Sequence, residues 1–443
     1  MPKDSTLLIV GEITVDFTLP YADSECKLRL GGITHAARGL WACDIKYVAA
    51  AVCPKYLVNQ ARHYFISHGC TDFIWLGEVE GSPNVLVVGD PTEVSHQGYE
   101  DILREEKKVK LFDVSEHLDR YEEVLIFPGH FDLTNLRCQF SDSAKFNFDI
   151  AYDVNDLSAL QAYQDSICTL IISTSSTLFK NIGGANVENL TELVVQLGAE
   201  ALLLKENRGG SRLFSFESGI VEEIPATLSS TANSVGVGDV YSAVMSGFLK
   251  DGFVEAAWRG ANAATQYSQT TFPDDFKREV QRSLNVSVDN WRSLGGTFLP
   301  WHERPEFQIY LAAPDFSYVH KPEVDFLVSA LAYHNFSLRR PIQENGELDV
   351  ASNNHQLQLT YAKDFELLDK CEAVIAVPLD RDPGTLVEVG LAISMGKPVI
   401  TYDPRRENKN TMVMAGSDTY SDKLDTCLNG LFSALSNIRK SRQ

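Results

Sequence analysis

Two carboxylates, Asp382 and Glu388, flank a single turn in the C-terminal third of the chain. Residues 382–390 read DPGTLVEVG and follow a short apolar strand predicted at 373–377. Ligands of open α/β sheets bind at the carboxyl ends of the strands. An acidic pair at such an edge predicts glycosyl chemistry, in which one carboxylate attacks a sugar carbon and another manages protons.

A second chemical constellation lies upstream, where residues 233–247 read NSVGVGDVYSAVMSG. A glycine-rich turn runs into a predicted helix, and backbone N–H groups at such a helix start can hold a phosphate or a developing oxyanion. The acid at the helix start, Asp239, is placed to take a proton from a hydroxyl that attacks a phosphoryl group.

The elements that must position these groups form an alternating pattern. Buried apolar runs separated by helical patterns lie at 6–11, 46–52, 85–88, 123–127, 148–152, 169–172 and 200–204. Alternating strands and helices predict a mainly parallel sheet with helices on both faces, and therefore an α/β fold. The Ala-rich segment from 236 to 272 predicts a glycine turn that feeds two packed helices.

A change of character after residue 276 indicates a domain boundary. A chain of 443 residues is too long for one ordinary core, so two domains are the default expectation and three are conceivable. Residues 279–306 combine charged and polar side chains with Gly-Gly and two prolines, which is typical of a linker. We therefore predict a first domain at 1–278, a linker at 279–306 and a second, smaller α/β domain at 307–443.

The composition and the residue spacings disfavour several classes of function. The formal net charge of −21 disfavours a nucleic-acid partner, and no apolar run approaches the roughly 20 residues that span a bilayer. The opening residues lack a secretory pattern, so we expect a cytoplasmic protein. The eight cysteines form no C-x-x-C pair and the ten histidines show no H-E-x-x-H spacing, so we expect buried thiols and no structural metal site.

Four pieces of the second domain occur together in a characteristic order. They are YLAAP at 310–314, Asp364 upstream of AVIAV, the D-x-G-T-x-x-E-x-G run at 382–390 with GKPVI after it, and Asp403-x-Arg405 followed by Asn410-x-Met412. Together they make residues 308–438 resemble the nucleoside 2-deoxyribosyltransferase family. The resemblance implies a flavodoxin-like or Rossmann-like parallel sheet that binds a nucleoside or nucleotide and needs no cofactor.

The same resemblance implies roles for individual residues. Glu388 would be the nucleophile that bonds to the anomeric carbon, Asp382 would orient the sugar or the nucleophile, and Asp364 would protonate the departing base. Tyr310 would hold Glu388 through its hydroxyl. Asn410 would reach the sugar pocket of a neighbouring subunit, which implies at least a dimer.

The second domain departs from the family pattern at two positions and leaves some residue roles open. Pro383 and Ala313 replace residues that are commonly smaller, and Glu372 competes with Asp364 for the role of the acid. Arg405, or its neighbour Arg406, is a candidate for a 5′-phosphate. Transfer to a second base and hydrolysis by water are both compatible with the pattern.

The first 275 residues resemble the ribokinase-like (PfkB) sugar and nucleoside kinases, which implies a three-layer domain that uses ATP and Mg²⁺. The motifs that carry the resemblance are Asp16 after the first strand, the pair Gly31-Gly32, Asp153-x-Asn155, the segment from Lys205 to Gly210 with Leu213-Phe214, and the Gly236 to Asp239 turn. The resemblance implies a sugar-binding role for Asp16 and the glycine pair. It implies nucleotide contacts from Lys205 and Gly210, an anion hole at Gly236 and Gly238, and a catalytic base at Asp239.

The first domain also departs from that family. His35-Ala36 stand where an asparagine is usual, Asn233 and Val237 replace a common aspartate and a small residue, and STSSTLF after the strand at 169–172 lacks the family's N-x-x-E. Two functional hypotheses follow. The chain is either a bifunctional enzyme with a kinase and a glycosidic-bond site, or a sensor whose kinase-like domain binds a nucleotide without turnover and regulates the glycosidase.

Overall fold

The computed structural model describes residues 6–20, 25–96, 100–101, 107–151, 154–184, 186–348 and 352–443. The chain divides into two compact units. The first unit comprises Met1–Thr92, Gln97–Thr227 and Thr231–Gly296, and the second comprises Glu93–His96, Leu228–Ser230 and Thr297–Gln443. Residues 279–306, predicted as the linker, contain the end of one helix, a complete short helix and a 3-10 segment at Trp301–Glu306.

Fourteen strands are described in the first unit. They are β1 Leu7–Glu12, β2 Val15–Thr18, β3 Lys27–Leu30, β4 Tyr47–Val52, β5 Cys70–Val79, β6 Val85–Val88, β7 Glu100–Asp101, β8 Val109–Leu111, β9 Glu123–Ile126, β10 Lys145–Ile150, β11 Ile167–Ser173, β12 Ala201–Lys205, β13 Ser211–Ser215 and β14 Ile220–Ile224. They form a ten-stranded sheet and a separate four-stranded sheet, β3-β2-β6-β7.

The ten-stranded sheet has the order β14-β13-β12-β11-β10-β9-β1-β4-β5-β8. Its central strands pair in parallel, from β12 through β1 to β5, whereas the strands at both edges are antiparallel. The chain moves from β1 to β4 and β5 on one side and returns to β9 on the other. The direction of winding therefore reverses between β1 and β9, which makes that position the topological switch point of the sheet.

Helices cover both faces of this sheet. The central strands therefore bury side chains in both directions. The first five residues of β1 are all buried, which is typical of a parallel strand packed between two helical layers. The helices are α1 Ile33–Ala42, α2 Val58–Ser67, α3 Ser115–Leu118, α4 Leu133–Arg137, α5 Val187–Gln196, α6 Val237–Gly247, α7 Phe253–Ser268, α8 Pro273–Ser283 and α9 Val288–Leu294. The predicted glycine turn and helix pair after residue 236 correspond to α6 and α7.

The second unit is a five-stranded parallel sheet. Its strands are β15 Gln308–Ala312, β16 Ser337–Arg339, β17 Ala373–Ala376, β18 Val399–Tyr402 and β19 Thr419–Ser421, in the order β16-β15-β17-β18-β19. All four neighbouring pairs are parallel. Numbered within the unit, this order is 2-1-3-4-5, the flavodoxin-like arrangement, and its switch point lies between β15 and β17.

Six helices complete the second unit: α10 Pro322–Tyr333, α11 Pro341–Asn345, α12 Asn354–Lys370, α13 Pro383–Ser394, α14 Thr411–Gly416 and α15 Leu424–Arg442. Side chains of β15, β17 and β18 are buried on both faces, one set against α10 and α15 and the other against α12 and α13. The α/β class predicted for both parts of the chain is confirmed. Within the described ranges, no helix combines the length and apolarity required to cross a bilayer.

Candidate functional site

Tyr310 and Glu388 meet at the switch point of the second sheet. Tyr310 lies in β15 and is fully buried, and its hydroxyl donates a hydrogen bond to Glu388 Oε1 at 2.7 Å. Glu388 lies in α13, the helix that follows β17, so both residues belong to elements that border the crevice. Burial raises the pKa of Tyr310, and the neighbouring negative charge of Glu388 raises it further. The phenol therefore stays protonated and acts as a fixed donor.

The Glu388 carboxyl is held in an unfavourable environment for its charge. Burial raises its pKa to about 7, the hydrogen bond from Tyr310 opposes this shift, and the charges of Asp364 and Asp382 add to it. The structure therefore brings three carboxylates and one phenol together in this region. Strongly shifted carboxyl pKa values of this kind are typical of catalytic sites, although ion networks also produce them.

Asp364 lies on α12 and is half-buried, with its Oδ1 accepting a hydrogen bond from Asn345 Nδ2 at 2.7 Å. Burial raises the pKa of Asp364, and the Asn345 hydrogen bond partly offsets that effect. Asn345 ends α11 and was not among the predicted site residues. The only sequence signal was its Asn-Gly turn, which marks a helix end but no chemistry.

Asp382 is the N-cap of α13. Its Oδ2 accepts hydrogen bonds from the backbone N–H of Thr385 at 2.7 Å and from the Thr385 hydroxyl at 2.9 Å. The two preceding residues, Asp380 and Arg381, both have left-handed backbone conformations, with φ values of 53° and 54°. The chain therefore turns sharply out of β17, and Asp382 fixes the start of the helix that carries Glu388.

Glu372 lies outside this cluster. It precedes the first residue of β17, at the amino end of the strand, and accepts hydrogen bonds from the backbone of Gln308 and from Arg442, both at 2.7 Å. Because the crevice opens at the carboxyl ends of the strands, the structure brings Asp364 rather than Glu372 to the proposed nucleophile.

Arg405 and Asn410 are engaged in local contacts. The Arg405 guanidinium forms a two-pronged pair with Glu323, at 2.7 and 3.0 Å, and lies 3.4 Å from Asp380. Arg406 pairs with Asp422. The exposed Asn410 caps α14 by accepting a hydrogen bond from the backbone N–H of Met412 at 2.9 Å.

The glycine turn of the first unit places Asp239 in the opening turn of α6. Gly236 is the N-cap, with a left-handed φ of 83°, and a Cβ added there would lie 2.2 Å from the His35 ring. Burial and the charge of Asp149 raise the pKa of Asp239 to about 8, while Lys205 opposes the shift.

Lys205 lies beside this turn. Its ammonium donates to both oxygens of Asp149 at 2.9 and 3.0 Å and to the carbonyl of Gly238 at 3.3 Å. Gly210 follows the short turn after Lys205 with a φ of 92°, and its carbonyl accepts the Glu206 N–H. Lys205 thus contacts the start of α6 at Gly238, whereas Gly210 closes the β12–β13 connection.

Asp16 is almost completely buried, with an exposed fraction of 1%. Its Oδ2 lies 2.8 Å from His35 Nε2, and the other ring nitrogen of His35 lies 2.8 Å from the Tyr267 hydroxyl. A Cβ on Gly31 would lie 2.0 Å from Asp16 Oδ1, and Gly32 caps α1 with a φ of 62°. The predicted sugar-binding acid is therefore packed against a histidine, a pairing that the sequence did not reveal.

The structure describes only part of the remaining kinase-like motifs. Asp153 lies outside the described residues, whereas Asn155 is within them. Where the family's N-x-x-E is missing, the hydroxyls of Ser173 and Ser175 bond to each other at 2.8 Å, and the buried Thr174 hydroxyl has no described partner. No group of three His, Cys, Asp or Glu side chains that could hold a metal is found in the part of the chain that the structure describes.

Comparison with known proteins agrees with the resemblance predicted for the second unit. Residues 309–429 match the family model for nucleoside 2-deoxyribosyltransferase, which confirms the resemblance predicted for that part of the chain. A search of curated proteins gives no match.

Among solved structures, the chain is similar to a ribokinase from Thermotoga maritima, with 15% identity, a TM-score of 0.45, and coverage of 63% of this chain and 99% of that one. It is also similar to a nucleoside kinase of the ribokinase family from Methanocaldococcus jannaschii, with 12% identity, a TM-score of 0.44 and coverage of 63% and 99%. A nucleoside kinase from Burkholderia thailandensis in complex with inosine shows 11% identity, a TM-score of 0.47 and coverage of 64% and 98%. The activity of the first unit stays a prediction.

Proposed function

We propose that the second unit cleaves or transfers the N-glycosidic bond of a deoxynucleoside, a nucleoside or a corresponding monophosphate. The observation that carries this proposal is the hydrogen bond from the buried Tyr310 to Glu388, beside Asp364 and Asp382 at the switch point of the sheet. The match of residues 309–429 to the nucleoside 2-deoxyribosyltransferase model supports the same chemistry.

The first step is attack by Glu388 on C1′ of the sugar. Because Oε1 accepts the Tyr310 hydrogen bond, we assign the attack to Oε2. A C1′–O bond forms while the bond from C1′ to the base nitrogen breaks, and the electron pair leaves with the base. Asp364 donates its proton to that base, a role for which its raised pKa suits it.

The second step releases the sugar. Water, or the nitrogen of a second base, attacks C1′ and displaces the Glu388 carboxylate, and Asp364 takes up the proton of the attacking group. Water gives hydrolysis and a second base gives transfer. Asp382 contributes by holding the start of α13 and thereby the position of Glu388.

The decisive experiment measures free bases and sugars by mass spectrometry after incubation with deoxynucleosides and deoxynucleotides. Glu388→Ala should abolish base release, whereas Glu366→Gln, an exposed carboxylate on α12, should leave it unchanged. A trapped sugar on the peptide that contains Glu388 would support the covalent route. Base release by Glu388→Ala at the wild-type rate would refute it.

We further propose that the first unit phosphorylates a sugar or nucleoside with ATP, with Asp239 as the base. The position of Asp239 in the first turn of α6, behind Gly236, supports this activity. The residues near the end of β11 do not favour a metal there, since Ser173, Thr174 and Ser175 provide hydroxyls rather than carboxylates. We therefore derive no step through Mg²⁺.

The alternative for the first unit is a receptor that binds a nucleotide without turnover and regulates the second unit. The contact of the buried Asp16 with His35 favours this alternative, because the carboxylate is already satisfied within the protein. Incubation with ATP, Mg²⁺ and a nucleoside panel separates the two. A phosphorylated product that disappears in Asp239→Asn supports the kinase, whereas binding without product supports the receptor.

A further inference from the structure

A buried carboxylate of the first unit, Asp149, belongs to none of the kinase-like motifs. It lies in β10 and is 4% exposed. The register pairs Asp149 with Ile171 in β11, and Ile171 packs in one cluster with Tyr241 and Met245 of α6. Because paired residues of neighbouring strands lie on the same face of a sheet, Asp149 is on the face that α6 covers. A carboxylate buried there needs a charged or hydrogen-bonding partner.

Lys205, the last residue of β12, supplies that partner. Its ammonium donates to both oxygens of Asp149 at 2.9 and 3.0 Å, to the Gly238 carbonyl at 3.3 Å and to the Ser242 hydroxyl at 3.2 Å. An ammonium has three N–H donors, so these acceptors use all of them. The side chain of Lys205 is only 12% exposed. A nucleotide phosphate would therefore gain this ammonium only by displacing an acceptor that the protein already provides.

Both members of this pair are bonded to the opening of α6. Ser242 lies one turn after Gly238, and its hydroxyl oxygen is 2.7 Å from Asp149 Oδ2 and 3.0 Å from the Gly238 carbonyl. A Cβ added at Gly238 would lie 3.2 Å from the Lys205 ammonium nitrogen, a crowded approach for any side chain. The contacts therefore hold the helical turn that carries Asp239 against two strands of the sheet.

The same two charges act on Asp239 in opposite directions. Burial raises the pKa of Asp239, the charge of Asp149 raises it further, and Lys205 lowers it. The other charged or titratable groups that interact with Asp239 are Asp16 in β2, which also raises its pKa, and the phenol of Tyr267 in α7. Asp149 and Lys205 therefore influence both the position and the charge of this acid.

We propose that Asp149 and Lys205 are positioning residues, which hold the first turn of α6 so that Asp239 faces the hydroxyl that accepts the phosphoryl group. This role rests on the proposed kinase activity, in which Asp239 is the base. Lys205 then supports the helix start and is not a ligand of the nucleotide. The Ser242 hydroxyl joins the pair to the backbone of α6.

Carbon-13 NMR titration of Asp239 in the full chain tests the coupling of these charges, with Asp239→Asn to assign the resonance. Asp149→Asn keeps an oxygen that can accept from Lys205 but removes the negative charge, so the pKa of Asp239 should fall by about one unit or more. The acidic limb of the pH profile for phosphorylation should move to lower pH by the same amount. Asp142→Asn, which removes a fully exposed carboxylate, is the matched control and should leave the pKa of Asp239 unchanged.

Lys205→Met tests the structural half of the proposal. It leaves the buried charge of Asp149 without its ammonium, so the melting temperature of the first unit should fall by about 5 °C or more. Adding Asp149→Asn removes the unpaired charge and should recover most of that loss. ATP affinity of this double variant, measured by isothermal titration, should be close to that of the wild type, because the pair that is removed carries no net charge.

Two results would overturn the proposal. One is a pKa of Asp239 that does not move in Asp149→Asn. The other is a loss of ATP affinity of about tenfold or more in Lys205→Met at an unchanged melting temperature, the scale of a lost hydrogen bond to a charged group, which would identify Lys205 as a nucleotide ligand. Phosphorylation by the wild type is measured separately, so absence of product would refute the kinase while the titration still decides whether the pair controls Asp239.

Discussion

The raised pKa of Glu388 predicts a specific pH dependence of stability, which the substitution Glu388→Gln should remove. The pKa is about 7 in the folded protein and 4.5 for an ordinary glutamate. Between these values the unfolded chain loses the proton first, so the wild-type protein loses stability as the pH rises from 4.5 to 7. Below 4.5 both states are protonated, and above 7 the loss is constant.

The size of the effect follows from the two pKa values. A difference of about 2.5 pKa units corresponds to roughly 3 kcal/mol, since one unit is worth about 1.4 kcal/mol. Glutamine has the same shape, does not titrate and can still accept the Tyr310 hydrogen bond. Glu388→Gln should therefore be about 3 kcal/mol more stable relative to wild type at pH 7.5 than at pH 4.5.

Hydrogen–deuterium exchange of peptides from β15 and β17 is the suitable assay, because it reports opening of the second unit alone. The two proteins should be compared across pH 4.5 to 8, with Glu366→Gln as a control for the loss of a surface charge. A stability difference between Glu388→Gln and wild type that does not change with pH would refute the reasoning. It would show that the Glu388 carboxyl is solvated and has an ordinary pKa.

Three further substitutions test other contacts. Tyr310→Phe removes the hydrogen-bond donor that favours the ionised form of the proposed nucleophile, so base release at pH 7 should fall about tenfold. An unchanged rate would show that this hydrogen bond does not contribute to base release. Asn345→Ala removes the donor that lowers the pKa of Asp364, so carbon-13 NMR titration of that carboxyl should move to higher pH, and no movement would contradict the contact. Gly236→Ala imposes a left-handed conformation and a clash with His35, so it should lower the unfolding free energy by about 2 kcal/mol or more in chemical denaturation. Wild-type stability would exclude that clash.

The sequence predicts the buried parallel strands well, because their apolar runs are continuous. Strands β4, β9 and β17 lie within the predicted runs, and β1 extends one residue beyond its run. The small sheet was harder to predict. Strand β3 is largely exposed and β7 has two residues, so neither has the apolar pattern of a core strand.

Helix boundaries followed the capping residues rather than the apolar pattern. Helix α12 starts at Asn354 because Asn353 and Gln356 form a capping box, although the residues that follow show little apolar periodicity. Helices α8 and α9 lie in or next to the segment predicted as a linker. Their polar sequences hide the helical period, although Pro273 at the first turn of α8 and the Ser287 cap of α9 are start signals.

The sites depend on contacts that sequence distance conceals. Tyr310 and Glu388 are 78 residues apart, and they could be paired only through the resemblance of their motifs. His35 and Tyr267 are 232 residues apart, with no motif to link them. Asp16 is buried against the same histidine. The residue types indicated which segments carry candidate site residues. Only the three-dimensional packing shows which of their polar groups a ligand can reach.

The mechanism that we propose for the second unit poses a protonation problem, because Glu388 would have to be ionised while Asp364 holds a proton. The charge of Asp364 raises the pKa of Glu388. Protonation of Asp364 removes that charge and makes ionisation of Glu388 easier. A nucleobase bound over Asp364 would bury it further and raise its pKa, while the Tyr310 hydrogen bond would stabilise the charge of Glu388. We therefore expect the arrangement needed for attack to form when the substrate binds, which ties activation of the nucleophile to the presence of a base that can leave.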